Sequence, residues 1–134
     1  CLNDWKLARI ITGEHFCQRI YDLTLHEVLK TRQNISGCLA REERAIGDLM
    51  TSLVQVGIAM AYAGNSRPAS GAEHHFSHFF EITGVAFHLP YLPHGIDVAY
   101  STVLTSHMRH RLAEEDPASF SCSFNEKEWE QQKM

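Results

Sequence analysis

Apolar residues along this chain recur at helical rather than strand spacing. Leu2, Trp5, Ala8 or Arg9, and the Ile10–Ile11 pair predict a first helix from Leu2 to about Thr12, with Gly13 as its breaker. It starts at Cys1 without a capping side chain, as though cut from something longer. A second helix, from about Phe16 to Arg32, is expected to bury Phe16, Ile20, Leu23 and the Val28–Leu29 pair. Asn34-Ile35-Ser36-Gly37 reads as a turn.

The strongest pattern runs from Arg41 to Tyr62. Ala45, Leu49, Leu53, Val56 and Met60 form one stripe, and Ile46, Met50, Val54 and Ile58 widen it. A stripe that broad predicts a central helix touched by several neighbours. Glu42 and Glu43 sit in its first turn, where the helix dipole favours them. Gly57 has two readings: close helix packing, or a tolerated cost of about 1 kcal/mol relative to alanine. Gly64-Asn65 ends the helix.

Pro68, with Ser66 and Ser70 as candidate caps, predicts another helix start, and that helix should reach about Gly84. Leu89-Pro90-Tyr91-Leu92-Pro93 is a stiff, extended connection. A helix from about Gly95 to Glu114 follows, with Val98, Val103 or Thr102, and Leu112 inward, ending before Asp116-Pro117. Asn125 as cap and Glu128 at the third position mark a last helix start, cut off at Met134. No period-2 run is long enough for a strand, so the fold class is all-α.

With 134 residues, 44% of them hydrophobic, the chain can build one domain with a core. A net charge of −4 offers no electrostatic case for nucleic acid or an anionic membrane. The densest basic cluster, Arg109-His110-Arg111, reads as the solvated end of a helix. Cys1, Cys17, Cys38 and Cys122 are widely spaced, which suits a reduced, cytoplasmic protein. No apolar run reaches the length of a bilayer span, and no stretch resembles a signal peptide.

Candidate chemistry concentrates between Ser66 and Gly95. His74 and His78 are four residues apart and share a helix face, whereas His75 is rotated off it by about 100°. Such a pair could hold one cation, or one ring could bind metal while the other handles a substrate proton. In a chain with nine histidines the pair could equally arise by composition and be packed or solvated. His94 lies in a bend where Gly95 lets the backbone pass close to a ligand. His75, Phe76, Phe79 and Phe80 read as packing, and Glu73 and Glu81 as groups that orient imidazoles.

The run from Asn65 through Arg67-Pro68-Ala69-Ser70-Gly71-Ala72-Glu73-His74-His75 to Phe79 resembles the signature of sn-glycerol-1-phosphate dehydrogenases. These belong to the superfamily of iron-containing alcohol dehydrogenases, glycerol dehydrogenases and dehydroquinate synthases, with which the chain shares His74/His78 and His94-Gly95. Asp4-Trp5-Lys6-Leu7-Ala8 resembles a further family segment, so the likeness runs from near the start to about Arg111.

The resemblance implies one helical domain over residues 1–134, like the C-terminal metal-binding domain of the dehydroquinate synthase-like fold. The N-terminal nucleotide-binding domain and the extreme C-terminus would be lacking. It implies that His74 and His94 are metal ligands, with His88 a rival that lacks the following glycine. His78 would be the catalytic, substrate-contacting histidine. Arg67 would either hold the substrate phosphate or fix its loop through Glu73 or an upstream carbonyl.

Zinc is the first choice of divalent metal, with iron or nickel as alternatives. NAD or NADP would be the cofactor, dihydroxyacetone phosphate and glycerol 1-phosphate the substrates, and a homo-oligomer the assembly. The family's third ligand, an aspartate in a Gly-x-Gly-Asp segment, would lie before Cys1. Gly47-Asp48 is its nearest substitute, inside the central helix. The rival readings are a free-standing, non-catalytic helical module with a structural or incidental metal site, and a related polyol or alcohol dehydrogenase.

Overall fold

The computed structural model describes residues 1–90, 92–116 and 119, and among them the chain forms six α-helices and no strand. These are α1 (Leu2–Thr12), α2 (Gln18–Gln33), α3 (Ile35–Leu39), α4 (Glu43–Ala63), α5 (Ala72–Ala86) and α6 (His94–Glu114). The fold is all-α, as the periodicity requires. The helix start expected at Asn125 lies outside the described residues.

Two glycines set helix ends. Gly13 and Gly64 both adopt φ 70°, the left-handed region open to glycine without a Cβ penalty, and stop α1 and α4. The expected turn at Asn34–Gly37 is instead the start of the short α3. Tertiary contact overrides the local turn chemistry there: a Cβ on Gly37 would lie 2.8 Å from the Ala45 Cβ, so the glycine lets α3 lie on α4.

Helices α2 and α4 pack as one pair, with α3 folded onto α4, and α5 and α6 form a second pair. Helix α1 reaches the loop before α2 with one side chain and the α5–α6 pair with another. Trp5 is fully buried, donates from Nε1 to the His15 carbonyl at 2.9 Å and stacks at a tilt 4.9 Å from Phe16. One residue earlier, Asp4 reaches the start of α5 and the side of α6.

The helix contacts use small and polar residues. Ala45, Ser52 and Ala59 face inward along α4, meeting Thr24 and Glu27 of α2. Ser77 and Gly84 on α5 face Asp97, Ser101 and Thr105 on α6. This corrects the expected buried faces: Val28, Leu29, Val103 and Leu112 are all exposed. Small side chains let backbones approach closely, and the larger apolar groups then lie on the flanks.

Helix α4 is consequently not the many-sided centre its pattern suggested. It packs mainly on α2 and α3 and leaves Ile46, Met50, Leu53, Val54 and Ile58 exposed. By length and composition alone it could cross a bilayer, which corrects the expectation that no such run exists. That property by itself does not assign it to a membrane. At Gly57 an added Cβ would meet nothing within 4 Å, so the close-packing reading gives way to the tolerated glycine.

Candidate metal centre

The signature loop is built before the helix it leads into. Ala69 and Ser70 both donate backbone N–H groups to the Ser66 carbonyl, at 2.9 and 2.8 Å. Helix α5 then starts at Ala72 with Gly71 as N-cap, so neither Ser66 nor Ser70 caps it with a side chain. The caps are carboxylates instead. Asp4 Oδ2 accepts the Ala72 N–H at 2.8 Å, and Glu73 Oε1 accepts the Gly71 N–H at 3.0 Å. Arg67 forms a bidentate pair with Glu14, Nε to Oε1 and Nη2 to Oε2, both 2.8 Å. Hydrogen bonding to Glu14 raises the Arg67 pKa above its ordinary value.

Helix α5 continues through the buried Gly84 to Ala86 and closes on a Schellman motif. His88, at φ 54°, donates its N–H to the Val85 carbonyl, and Leu89 donates to the Gly84 carbonyl at 2.9 Å. His88 thus serves as an exposed, left-handed cap residue. The chain returns to Pro93, the N-cap of α6, and His94 is the first residue of that helix rather than part of a bend. Gly95 lies inside α6, with open space where a Cβ would stand.

This path brings three imidazoles together. The His74 and His78 ring centroids are 6.3 Å apart, those of His74 and His94 5.6 Å, and those of His78 and His94 5.4 Å in a stacked arrangement. Glu81 lies between the last two: its Oε2 is 3.0 Å from His78 Nδ1 and its Oε1 2.5 Å from His94 Nδ1. The buried Ser77 hydroxyl lies 3.4 Å from His94 Nδ1 and 3.5 Å from Glu81 Oε1. Ligand atoms of His78, Glu81 and His94 all fall within 4.8 Å of one another. His74 instead turns Nδ1 toward Glu73 Oε1 at 3.3 Å.

The electrostatics favour ionised carboxylates. Hydrogen bonds from His78, then from His94, hold the Glu81 carboxyl below its usual range. For Glu73 burial is the largest influence and acts upward. Backbone hydrogen bonding, the Cys1 ammonium and His74 together outweigh it, and the net shift is downward.

No protein-family model matches the chain. It is 37% identical over 101 residues to the NAD(P)+-linked glycerol-1-phosphate dehydrogenase of Geobacillus thermodenitrificans, covering 75% of this chain and 25% of that protein. Identity to the corresponding enzyme of Halalkalibacterium halodurans is 33% over 105 residues, covering 78% of this chain and 26% of that one. For Korarchaeum cryptofilum it is 32% over 108 residues, covering 81% and 34%.

The chain is homologous to glycerol-1-phosphate dehydrogenases. It spans about a quarter to a third of the length of these relatives. An aligned span of 101 residues in a chain of 134 necessarily includes His74 to His94.

Against that homology, the donor set can be tested chemically. His78, Glu81 and His94 bring two imidazoles and a carboxylate within ligand reach of one another, donor types that zinc, iron and nickel accept, so these residues fit such an ion, with the His74 ring beside that set. Sequence reading named all three histidines and gave Glu81 the role of orienting imidazoles, which its contacts with His78 and His94 Nδ1 match. Glu81 stands three residues after His78 on the same helix face, which is how one carboxylate reaches both rings. Asp48, the alternative carboxylate, is engaged elsewhere, with Asn34 Nδ2 at 3.3 Å and Lys30 Nζ at 3.8 Å.

Proposed function

We propose that this chain supplies the metal- and substrate-binding helices of an NAD(P)-dependent sn-glycerol-1-phosphate dehydrogenase, which reduces dihydroxyacetone phosphate. The reading rests on one observation: three imidazoles and a carboxylate meet at the α5–α6 junction, inside the stretch homologous to such enzymes. In it, residues 1–134 act as a single helical domain.

His74 and His94 hold a divalent metal, zinc in first place, and His78 contacts the substrate oxygen. The ion would supply Lewis-acid polarisation of a ketone. Glu81 accepts from Nδ1 of both His78 and His94, which fixes the proton on that nitrogen and leaves Nε2 of each ring with its lone pair. With Nε2 so prepared, His94 is a competent ligand and His78 can accept or pass on a proton. The two bonds from Arg67 to Glu14 favour loop fixing over phosphate binding for that side chain. A second ligand set, His78, Glu81 and His94, has the convergence of their ligand atoms in its favour.

The test is made on the intact gene product, by metal analysis and by oxidation of NADH or NADPH with dihydroxyacetone phosphate. His74→Ala is expected to lose metal and activity together. His78→Ala is expected to keep the metal and lower turnover by about 10²-fold. If His78→Ala strips the metal while His74→Ala retains it, the second ligand set is correct. Wild-type protein without turnover on this substrate would sink the enzymatic reading, and turnover on glycerol alone would move it to a polyol dehydrogenase.

A further inference from the structure

Two helices carry the candidate metal ligands, and both are held by one side chain from a third. Asp4 on α1 accepts the Ala72 N–H at the start of α5 and takes Arg109 Nη2 of α6 on both oxygens, at 2.7 and 2.9 Å. The Cys1 amino group adds a longer contact at 3.9 Å. Gly71, the N-cap of α5, has no side chain of its own to satisfy that helix end, so Asp4 does so from 68 residues away. Asp4 therefore shares with Glu73 the capping of the helix that bears His74, His78 and Glu81, and it alone of the two ties that helix to Arg109 of α6, the helix that begins with His94.

We infer that Asp4 is a positioning residue for the metal centre, and that the Asp4–Arg109 clasp fixes the spacing between α5 and α6 on which the ligand set depends. The inference rests on the metal reading above. Its geometry has an independent mark at Gly71. The backbone there is extended, φ −141°, which any residue adopts. A Cβ would nonetheless overlap Asp4 Oδ2 and the Cys1 Cα. Glycine at this position is what lets the carboxylate reach the helix end.

The test titrates this chain with Zn2+ by calorimetry and records the visible absorption of its Co2+ form. Asp4→Asn, Arg109→Met and Gly71→Ala are each expected to weaken zinc by about tenfold and to shift the cobalt bands, since mispositioned ligands typically cost that much. Gly71→Ala does so without removing a charge, and Arg109→Lys is expected to recover most of the loss. Glu27→Gln, in the α2–α4 pair, serves as a control for stability: it is expected to lower the melting temperature and leave zinc affinity and cobalt bands in place. Clasp variants that bind zinc like wild type, with unchanged spectra, would overturn this inference and leave the metal reading standing. Zinc affinity that falls as far in Glu27→Gln as in Asp4→Asn would overturn it as a mere effect of stability. A wild-type chain with no saturable zinc binding would overturn the metal reading, and this inference with it.

Discussion

At the scale of single residues, the chemistry of the cluster predicts how it responds to acid. A metal competes with protons for imidazole nitrogen, so zinc binding by this chain is expected to fade as pH falls below about 6. The carboxylate does not set that edge, because Glu81 is held ionised to lower pH than an ordinary glutamate. Replacing His74 and His94 together by alanine is expected to abolish the pH-dependent binding, as read by calorimetry between pH 5 and 8. Zinc affinity unchanged in the double variant would show that the ion binds elsewhere. Helical spacing made the His74–His78 pairing legible but left packed or solvated rings open, and His94 was singled out over His88 by the family resemblance. Arg109 was not legible: read as a solvated helix end, it is paired with Asp4 across 105 residues. Local charge density carries no information about a partner that far away.

At the scale of elements, glycine helix stops were readable, whereas helix starts and the width of buried faces were not. Gly13 and Gly64 declare their helix stops through backbone conformation, a local property. The inward faces depend on which residues let neighbours come close: along α4 Ala45, Ser52 and Ala59 are buried, with Leu49, Val56 and Met60 of the expected stripe half-buried beside them and Leu53 outside. Hydrophobic periodicity therefore found α4 and most of its inward stripe, but made the buried face too wide by Ile46, Met50, Leu53, Val54 and Ile58. The same distinction gives opposite signs for two glycine substitutions. Gly57→Ala meets open space within a helix and is expected to stabilise the chain by about 0.5–1 kcal/mol. Gly37→Ala would press on the Ala45 Cβ at 2.8 Å and Glu42 Oε2 at 3.0 Å, so it is expected to destabilise. Urea midpoints measure both. Shifts in the same direction would contradict the packing of α3 on α4.

At the scale of the whole molecule, the described residues bury few large apolar side chains, Trp5 chief among them, and expose many. Ile10, Ile11, Leu39, Tyr62 and Val103 are each at least 70% exposed. Soluble monomers rarely leave such surface in contiguous patches. Among the described residues there is also no strand, and hence no strand–glycine turn–helix unit of the kind that cradles a dinucleotide pyrophosphate.

These two facts predict how the chain behaves alone. It is expected to show no saturable NADH binding by calorimetry at affinities better than roughly millimolar. It is also expected to bind a hydrophobic dye such as anilinonaphthalene sulfonate, and to associate as concentration rises, because water in contact with Ile46, Met50, Val54 and their neighbours on α4 is unfavourable. Replacing Met50, Leu53 and Val54 by glutamine removes part of that surface without touching the inward Ala45–Ser52–Ala59 line, so helicity is expected to survive while dye binding and association fall. A wild-type chain that stays monomeric in sedimentation and binds no dye would mean that the outer face of α4 is covered within the chain itself. The exposure of that face would then be wrong, whatever became of the metal centre.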